Sequence, residues 1–61
     1  MTRKDYERIA AAVARGAAEA KAEGHDMRGL RSVVIELALT LADENPRFDR
    51  KRFMAACGVD A

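Results

Sequence analysis

Two short segments of the chain carry nearly the same arrangement of capping, charged and aromatic residues. The first is MTRKDY at residues 1–6, and the second is FDRKRF at residues 48–53. Each segment places a capping residue before an Arg-Lys pair, one further charge and an aromatic ring. A capping residue followed by a short charged run is typical of the first turn of a helix, so both segments are predicted helix starts.

Basic side chains at a helix start are unfavourable, because each one opposes the helix dipole at a cost of about 0.3–1 kcal/mol. A preference that is violated twice suggests a function. Backbone N–H groups among Arg and Lys side chains suit a phosphate or an acidic protein surface. The competing interpretation is an ordinary exposed surface, with Asp49 occupied as a cap and arginines lying over the aromatic rings. The candidate binding residues are Arg3, Lys4, Arg47, Arg50, Lys51 and Arg52.

The other reactive side chains give no catalytic or metal-binding pattern. Cys57 has no histidine or second cysteine at a useful spacing, which predicts a small core residue. His25 is expected to be a solvated loop residue. Asp43 and Glu44 are adjacent, so on a helix they point in different directions and form no acid–base pair. With no glycine-rich phosphate loop in so short a chain, we expect no enzyme activity, no metal site and no cofactor.

Length and charge restrict the range of functions. The chain has 61 residues and begins with Met1, so we expect a complete protein made of a single domain, residues 1–61. Eleven basic residues nearly balance ten acidic ones, and the net charge of +1 is far from that of a basic domain, so nucleic acid is a weakly supported partner. A lone cysteine predicts a cytoplasmic location. No apolar stretch is long enough for a signal peptide or a membrane span, so no membrane partner is expected.

A first helix is predicted over about residues 2–23. Thr2 and Asp5 have the spacing of a capping box, and Gly24 is placed to end the helix. The small residues Ala12, Gly16 and Ala20 lie four apart, and they offer two interpretations: a site where another helix approaches closely, or an exposed and tolerated glycine. The predicted apolar stripe consists of Tyr6, Ile9, Val13 and Ala20.

A second helix is predicted over about residues 27–44, capped by Asp26 and ended by the dipeptide Asn45-Pro46. Ile35, Leu39 and Ala42 extend its apolar surface well beyond one face, so it must be covered on two sides. The first helix can cover one side. The candidates to cover the other side are the third helix, a second copy of the chain and a partner protein. The main apolar stripe consists of Leu30, Val33, Val34, Leu37, Ala38 and Leu41.

A third helix is predicted over about residues 50–57. Asp49 is its cap, and Phe48 and Phe53 stand at the two positions of a hydrophobic staple. Gly58 suits the left-handed residue that ends a helix, and Val59 should then contact Met54. No segment alternates with a period of two, so the predicted fold class is all-α, a compact three-helix domain in which the second helix is the candidate surface for a homodimer.

The two ends of the chain resemble a known group. TRKDY at residues 2–6 with Ile9-Ala10, and NPRFD at residues 45–49 with Arg52-Phe53 and Ala56-Cys57-Gly58, resemble the ends of short uncharacterised proteins encoded by bacteriophages and prophages. The resemblance covers roughly a third of the chain. It implies a small phage-encoded protein that acts in the cytoplasm of a bacterial host, and it carries no activity with it.

Two hypotheses about function follow from these patterns. The leading one is a non-catalytic interaction protein that docks on itself or on a host protein through the second helix, with Ile35, Leu39 and Ala42 at the interface. The alternative is a nucleic-acid-binding accessory protein that uses the basic helix starts.

Overall fold

The chain folds into three α-helices, which a computed structural model describes over residues 1–59. The helices are α1 (Arg3–Ala22), α2 (Arg28–Glu44) and α3 (Arg50–Ala56), and no strand occurs within this part of the chain. The all-α, three-helix prediction is confirmed, with every helix end within about a residue of its predicted place. Over the same residues, no helix has the length and apolar character needed to cross a membrane.

The start of α1 is closed by the predicted capping box. The Thr2 hydroxyl accepts a hydrogen bond from the Asp5 backbone N–H at 3.3 Å, and the Asp5 carboxylate accepts one from the Thr2 backbone N–H at 2.9 Å. The Thr2 hydroxyl also donates to the Asp5 carboxylate, at 3.2 Å. The bond from the Thr2 backbone N–H, and after it the bond from the Thr2 hydroxyl, lower the pKa of Asp5. Reciprocal bonding therefore satisfies two backbone donors that a bare helix end leaves unpaired.

Both α1 and α3 end in the same glycine-dependent motif. Gly24 has a φ of +80° and Gly58 a φ of +77°, in the left-handed region that glycine enters without a steric penalty. After α1, the His25 N–H donates to the Ala20 carbonyl at 3.0 Å. After α3, the Val59 N–H donates to the Met54 carbonyl at 3.3 Å. These bonds span six residues, as in a Schellman motif, and they confirm the predicted stop signals.

The start of α2 differs slightly from its prediction. The helix begins at Arg28, with Met27 rather than Asp26 in the N-cap position and no side-chain bond from Met27 itself. Asp26 still accepts a hydrogen bond from the Arg28 backbone N–H at 2.9 Å and forms an ion pair with the Arg28 guanidinium at 2.7 Å. That side-chain contact, with the backbone bond second, lowers the pKa of Asp26. The Asp26 carboxylate thus bonds to the first helical N–H from the position before the N-cap, rather than from the N-cap itself.

A tight turn leads from α2 into α3. Asn45 has an extended backbone, and its side-chain oxygen accepts a bond from the Arg47 N–H at 3.0 Å. Its backbone carbonyl accepts from the Phe48 N–H at 3.0 Å, closing a turn that contains Pro46. Asp49 then caps α3 by accepting from the Arg52 N–H at 3.1 Å, as predicted.

The core lies where α3 packs against both of the longer helices. The fully buried residues of α1 are Ala10 and Ala17, which the sequence-based stripe did not include. Small side chains at these positions let the neighbouring backbone approach closely. The predicted stripe residues Tyr6, Ile9 and Val13 are only partly buried and pack around the edge of this core. The buried core consists of Ala10, Ala17, Val34, Ala38, Leu41, Phe53, Cys57 and Val59.

Gly16 does not serve helix–helix approach within the described chain. It is exposed, and a Cβ added to it meets nothing within 4 Å apart from its own helix backbone and adjacent residues. Ala12 is exposed as well. Within residues 1–59, no other helix approaches Gly16, so its surroundings agree with the exposed, tolerated glycine. The small residues that face the core lie about one third of a turn away, at Ala10 and Ala17.

We expect Gly16→Ala to stabilise the protein, because alanine restricts the unfolded backbone and has open space in the folded helix. The free energy of unfolding should rise by roughly 0.5–1 kcal/mol in urea titrations followed by circular dichroism. Gly24→Ala is the matched control, and its positive φ should make it destabilising by about 1–2 kcal/mol. Equal effects of the two substitutions would contradict the assigned backbone geometry.

Candidate functional site: an arginine-rimmed aromatic groove and an apolar α2 face

The start of α1, the turn before α3 and one side of α3 line an open groove, which we call the aromatic groove. Three of the six predicted basic residues line it: Arg3 from α1, Arg47 from the turn and Arg52 from α3. Lys4, Arg50 and Lys51 are exposed and do not line the groove. The fold therefore brings the two similar segments together, but only half of the six candidate basic side chains line the groove between them.

The walls of the groove are built from all three aromatic residues of the chain. The rings of Tyr6 and Phe48 meet edge to face, with centroids 4.8 Å apart, and Phe48 contacts Phe53 at 5.3 Å. Such pairs add about 0.5–1.5 kcal/mol each beyond the area that they bury. The predicted staple between Phe48 and Phe53 is confirmed, and Phe48 extends it to α1.

The Tyr6 hydroxyl is a polar group inside this apolar wall. Its oxygen is buried and has no hydrogen-bond partner among residues 1–59. Buried hydroxyls in folded proteins nearly always have a partner, and leaving one without costs roughly 1–3 kcal/mol. The hydroxyl of Tyr6 therefore carries a cost in stability that a phenylalanine at the same position would not have.

Charge in the groove is partly compensated by carboxylates. Arg3 lies 3.6 Å from the Glu7 carboxylate, an exposed pair one helical turn apart. The Asp49 carboxylate accepts a hydrogen bond from the Arg52 backbone N–H. Within residues 1–59, the guanidinium groups of Arg47 and Arg52 form no ion pair. These two arginines are the groove cations left open to an external anion.

The apolar face of α2, which we call the α2 face, consists of Ile35, Leu39 and Ala42. Leu39 is 43% exposed, and Ile35 and Ala42 are half-buried. Ile35 and Leu39 are not among the apolar side chains of residues 1–59 that form or pack against the core. The fold thus leaves this surface partly open to solvent.

Val33 belongs to the predicted main apolar stripe of α2, but in the structure it does not face the core. Its side chain is 63% exposed, the largest value among the bulky apolar residues of the described chain. Val33 and Leu39 are six residues apart, so they lie about 120° apart around the helix and belong to different surfaces. The core contacts of α2 come instead from a narrower stripe centred on Val34, Ala38 and Leu41.

The remaining reactive side chains are placed as expected. Cys57 is completely buried, and this burial raises the pKa of its thiol, which disfavours the nucleophilic thiolate. His25 is exposed and lies 3.2 Å from the Glu23 carboxylate. Asp43 and Glu44 are exposed. Over residues 1–59, no three His, Cys, Asp or Glu side chains are grouped closely enough to hold a metal ion.

Comparisons of the chain with protein-family models, with curated proteins and with solved structures found no match. The resemblance of its two ends to short phage proteins therefore stays a prediction. The geometry defines a small three-helix protein with two candidate surfaces, the aromatic groove and the α2 face.

Phe53→Ala should remove the ring that joins α3 to the core. Phe53 is 4% exposed, and truncating a buried phenylalanine costs about 3–5 kcal/mol. A core of this size supplies only about that much stability, so we expect the variant to be largely unfolded by circular dichroism at 25 °C.

Arg50→Glu combined with Lys51→Glu is the control in the same helix. Both side chains are exposed, and acidic residues in a first turn complement the helix dipole, so stability should be unchanged or slightly higher. If the double reversal unfolds the protein while Phe53→Ala does not, the basic cluster, rather than the aromatic ring, holds α3 in place.

Proposed function

We propose that this protein is a small, non-catalytic interaction module that docks on another protein surface through the α2 face. The observation that supports this proposal is the exposure of Leu39, which is 43% accessible although α3 already packs on α2. The chain has no further described helix to cover it. Contact with another protein surface would remove this leucine from water.

The small size of the protein gives such docking a thermodynamic advantage. A chain of about 60 residues buries only about 60% of the surface that it exposes when unfolded. Additional apolar burial at an interface stabilises the folded state by mass action. The α2 face is suited to this because Ile35, Leu39 and Ala42 follow a spacing of four and three residues, the pattern of a helix that packs along a partner.

A non-catalytic role agrees with the placement of the reactive side chains. The Cys57 thiol is inaccessible, and His25 lies in an exposed linker beside Glu23. For the setting, we propose the cytoplasm of a bacterial host, on the basis of the phage-like ends and the lone cysteine.

Leu39→Glu tests the docking surface. It places a charge at the centre of the α2 face, so association with another protein, or with itself, should weaken roughly tenfold or more. We would measure mass by light scattering after size exclusion, and capture of bacterial proteins by the immobilised chain. Val33→Glu is the matched control. It introduces the same negative charge on another side of the same helix, at a site that is 63% exposed.

We expect Val33→Glu to behave as the wild type in both measurements. If Leu39→Glu also associates as the wild type does, the α2 face is not a docking surface. Circular dichroism of both variants separates loss of binding from loss of folding.

A second candidate function, nucleic-acid binding, is favoured by the grouping of Arg3, Arg47 and Arg52 around the aromatic groove. Guanidinium groups pair with phosphates, and aromatic rings provide stacking surfaces for bases. The net charge of +1 limits this candidate to a local contact over a few nucleotides.

Salt dependence tests this candidate. If Arg47 and Arg52 each neutralise one phosphate, the logarithm of the affinity for a short single-stranded DNA should fall against log salt with a slope of about −1.4, since single strands give about −0.7 per phosphate. Arg47→Glu with Arg52→Glu should abolish the fluorescence-anisotropy signal. Arg50→Glu with Lys51→Glu, which changes the charge equally outside the groove, should retain most of it. Absence of binding at low salt excludes this function.

A further inference from the structure

We propose that the aromatic groove is a second docking site, which binds an acidic peptide segment of a partner protein. The segment carries glutamate or aspartate side chains beside at least one bulky apolar side chain. The α2 face lies outside the groove, so the two docking sites are independent of each other. Three features of the groove support this assignment: its charges, its rings and its hydrogen-bonding groups.

The groove has two cations that no carboxylate of the described chain neutralises. Arg47, in the turn before α3, and Arg52, on α3, both line the groove and are exposed. Neither forms an ion pair within residues 1–59, whereas Arg3 lies 3.6 Å from the Glu7 carboxylate. A guanidinium group binds a carboxylate through two parallel hydrogen bonds, and such charge-assisted bonds are stronger than neutral ones. The groove therefore suits a ligand with one or two carboxylates.

Two carboxylates in the groove disfavour a ligand with many negative charges. Glu7 and Asp49 line the same surface as the arginines. A nucleic-acid strand brings a phosphate with every nucleotide, and a phosphate near these carboxylates is repelled. A peptide can instead place its acidic side chains on the arginines and offer its backbone N–H groups to the carboxylates. Charge complementarity thus favours an acidic peptide over a chain of phosphates.

The rings of the groove favour aliphatic contact over base stacking. Phe53 is 4% exposed, and the half-buried rings of Tyr6 and Phe48 pack on each other edge to face. A stacked base needs an open ring face, which rings packed on one another provide poorly. An apolar side chain needs only the carbon surface that Tyr6 and Phe48 leave exposed, and its burial there releases water from both surfaces.

The groove also offers both hydrogen-bond donors and acceptors. The Asn45 side-chain oxygen accepts a bond from the Arg47 N–H at 3.0 Å, which leaves the Asn45 NH2 group as a donor. A peptide backbone presents one N–H and one C=O with nearly every residue, so it needs partners of both kinds. The groove has a volume of about 890 Å³, which falls within the range of about 300–1,000 Å³ that is typical of ligand sites.

Fluorescence anisotropy with a short labelled peptide tests the site. The probe alternates leucine and glutamate, and it should bind the full chain with an affinity that falls as salt rises. Replacing its glutamates by glutamine, or its leucines by serine, should weaken binding roughly tenfold or more, because each change removes one of the two kinds of contact. Equal affinity for all three peptides would overturn the proposal.

Substitutions in the protein locate the bound peptide. Arg47→Gln with Arg52→Gln should weaken its binding roughly tenfold or more. Both side chains are exposed, and α3 is capped through the Arg52 backbone N–H, so the variant should fold. Arg50→Gln with Lys51→Gln is the matched control, because it removes the same charge outside the groove, and it should change the affinity by less than about twofold. Equal effects of the two pairs would contradict the groove as the binding site.

NMR titration of the wild type with the unlabelled peptide gives a second measurement that needs no variant. The side-chain N–H resonances of Arg47 and Arg52 should shift, and that of Arg50 should stay in place. Shifts confined to residues outside the groove would overturn the assignment.

Leu39→Glu separates this proposal from docking through the α2 face, and it should leave the affinity for the peptide unchanged. If it abolishes peptide binding and the Arg47 and Arg52 substitutions do not, the peptide occupies the α2 face, so the groove assignment fails and the docking function stands. If no peptide binds but Leu39→Glu still disrupts association with another protein, the groove assignment fails alone. If a single-stranded oligonucleotide displaces the labelled peptide at lower concentration than the unlabelled peptide does, the groove is a nucleic-acid site and the peptide assignment is wrong.

Discussion

The row of rings from Tyr6 through Phe48 to Phe53 is the contact on which the arrangement of the three helices depends. A helix of seven residues is too short to persist in water on its own, because the cost of its first turn exceeds what so few hydrogen bonds return. α3 exists because Phe53 is buried between the longer helices and Phe48 holds the preceding turn against α1. The same contact brings Arg3, Arg47 and Arg52 to one groove, so the fold and the basic surface share a single cause.

The helix ends were predictable because they depend on local chemistry. Thr2 with Asp5, Gly24 and Gly58 each act through hydrogen bonds or backbone angles within a few residues, which the sequence shows directly. The buried side of each helix was less predictable. Periodicity detects an apolar stripe but does not fix which of its residues face the core. The packing of the three helices buries Ala17 and leaves Val33 exposed. Alanine gives little signal of burial, since it is equally at home on an exposed helix surface.

The candidate surfaces, like the buried sides of the helices, could be predicted only in part. The sequence shows that two helix starts are alike and basic, but it cannot show that Arg3 and Arg52 line one groove while Lys4 and Lys51 lie outside it, because that depends on how distant segments pack. The width of the apolar surface of α2 predicted that a single neighbouring helix could not cover it. Which residues stay uncovered depends on the packing of α3, and the structure shows that Leu39 lies outside the core.

The complete burial of Cys57 has a consequence for the kinetics of the protein. Its thiol lies at the end of the shortest helix, and burial raises its pKa, so a thiol reagent in solution meets neither an accessible sulfur nor a thiolate while α3 is docked. Modification requires α3 to separate from the core, by itself or together with the other helices. The wild-type chain therefore carries its own reporter. The dependence of the thiol-labelling rate on denaturant concentration distinguishes opening of α3 alone, which exposes little surface, from loss of the whole structure.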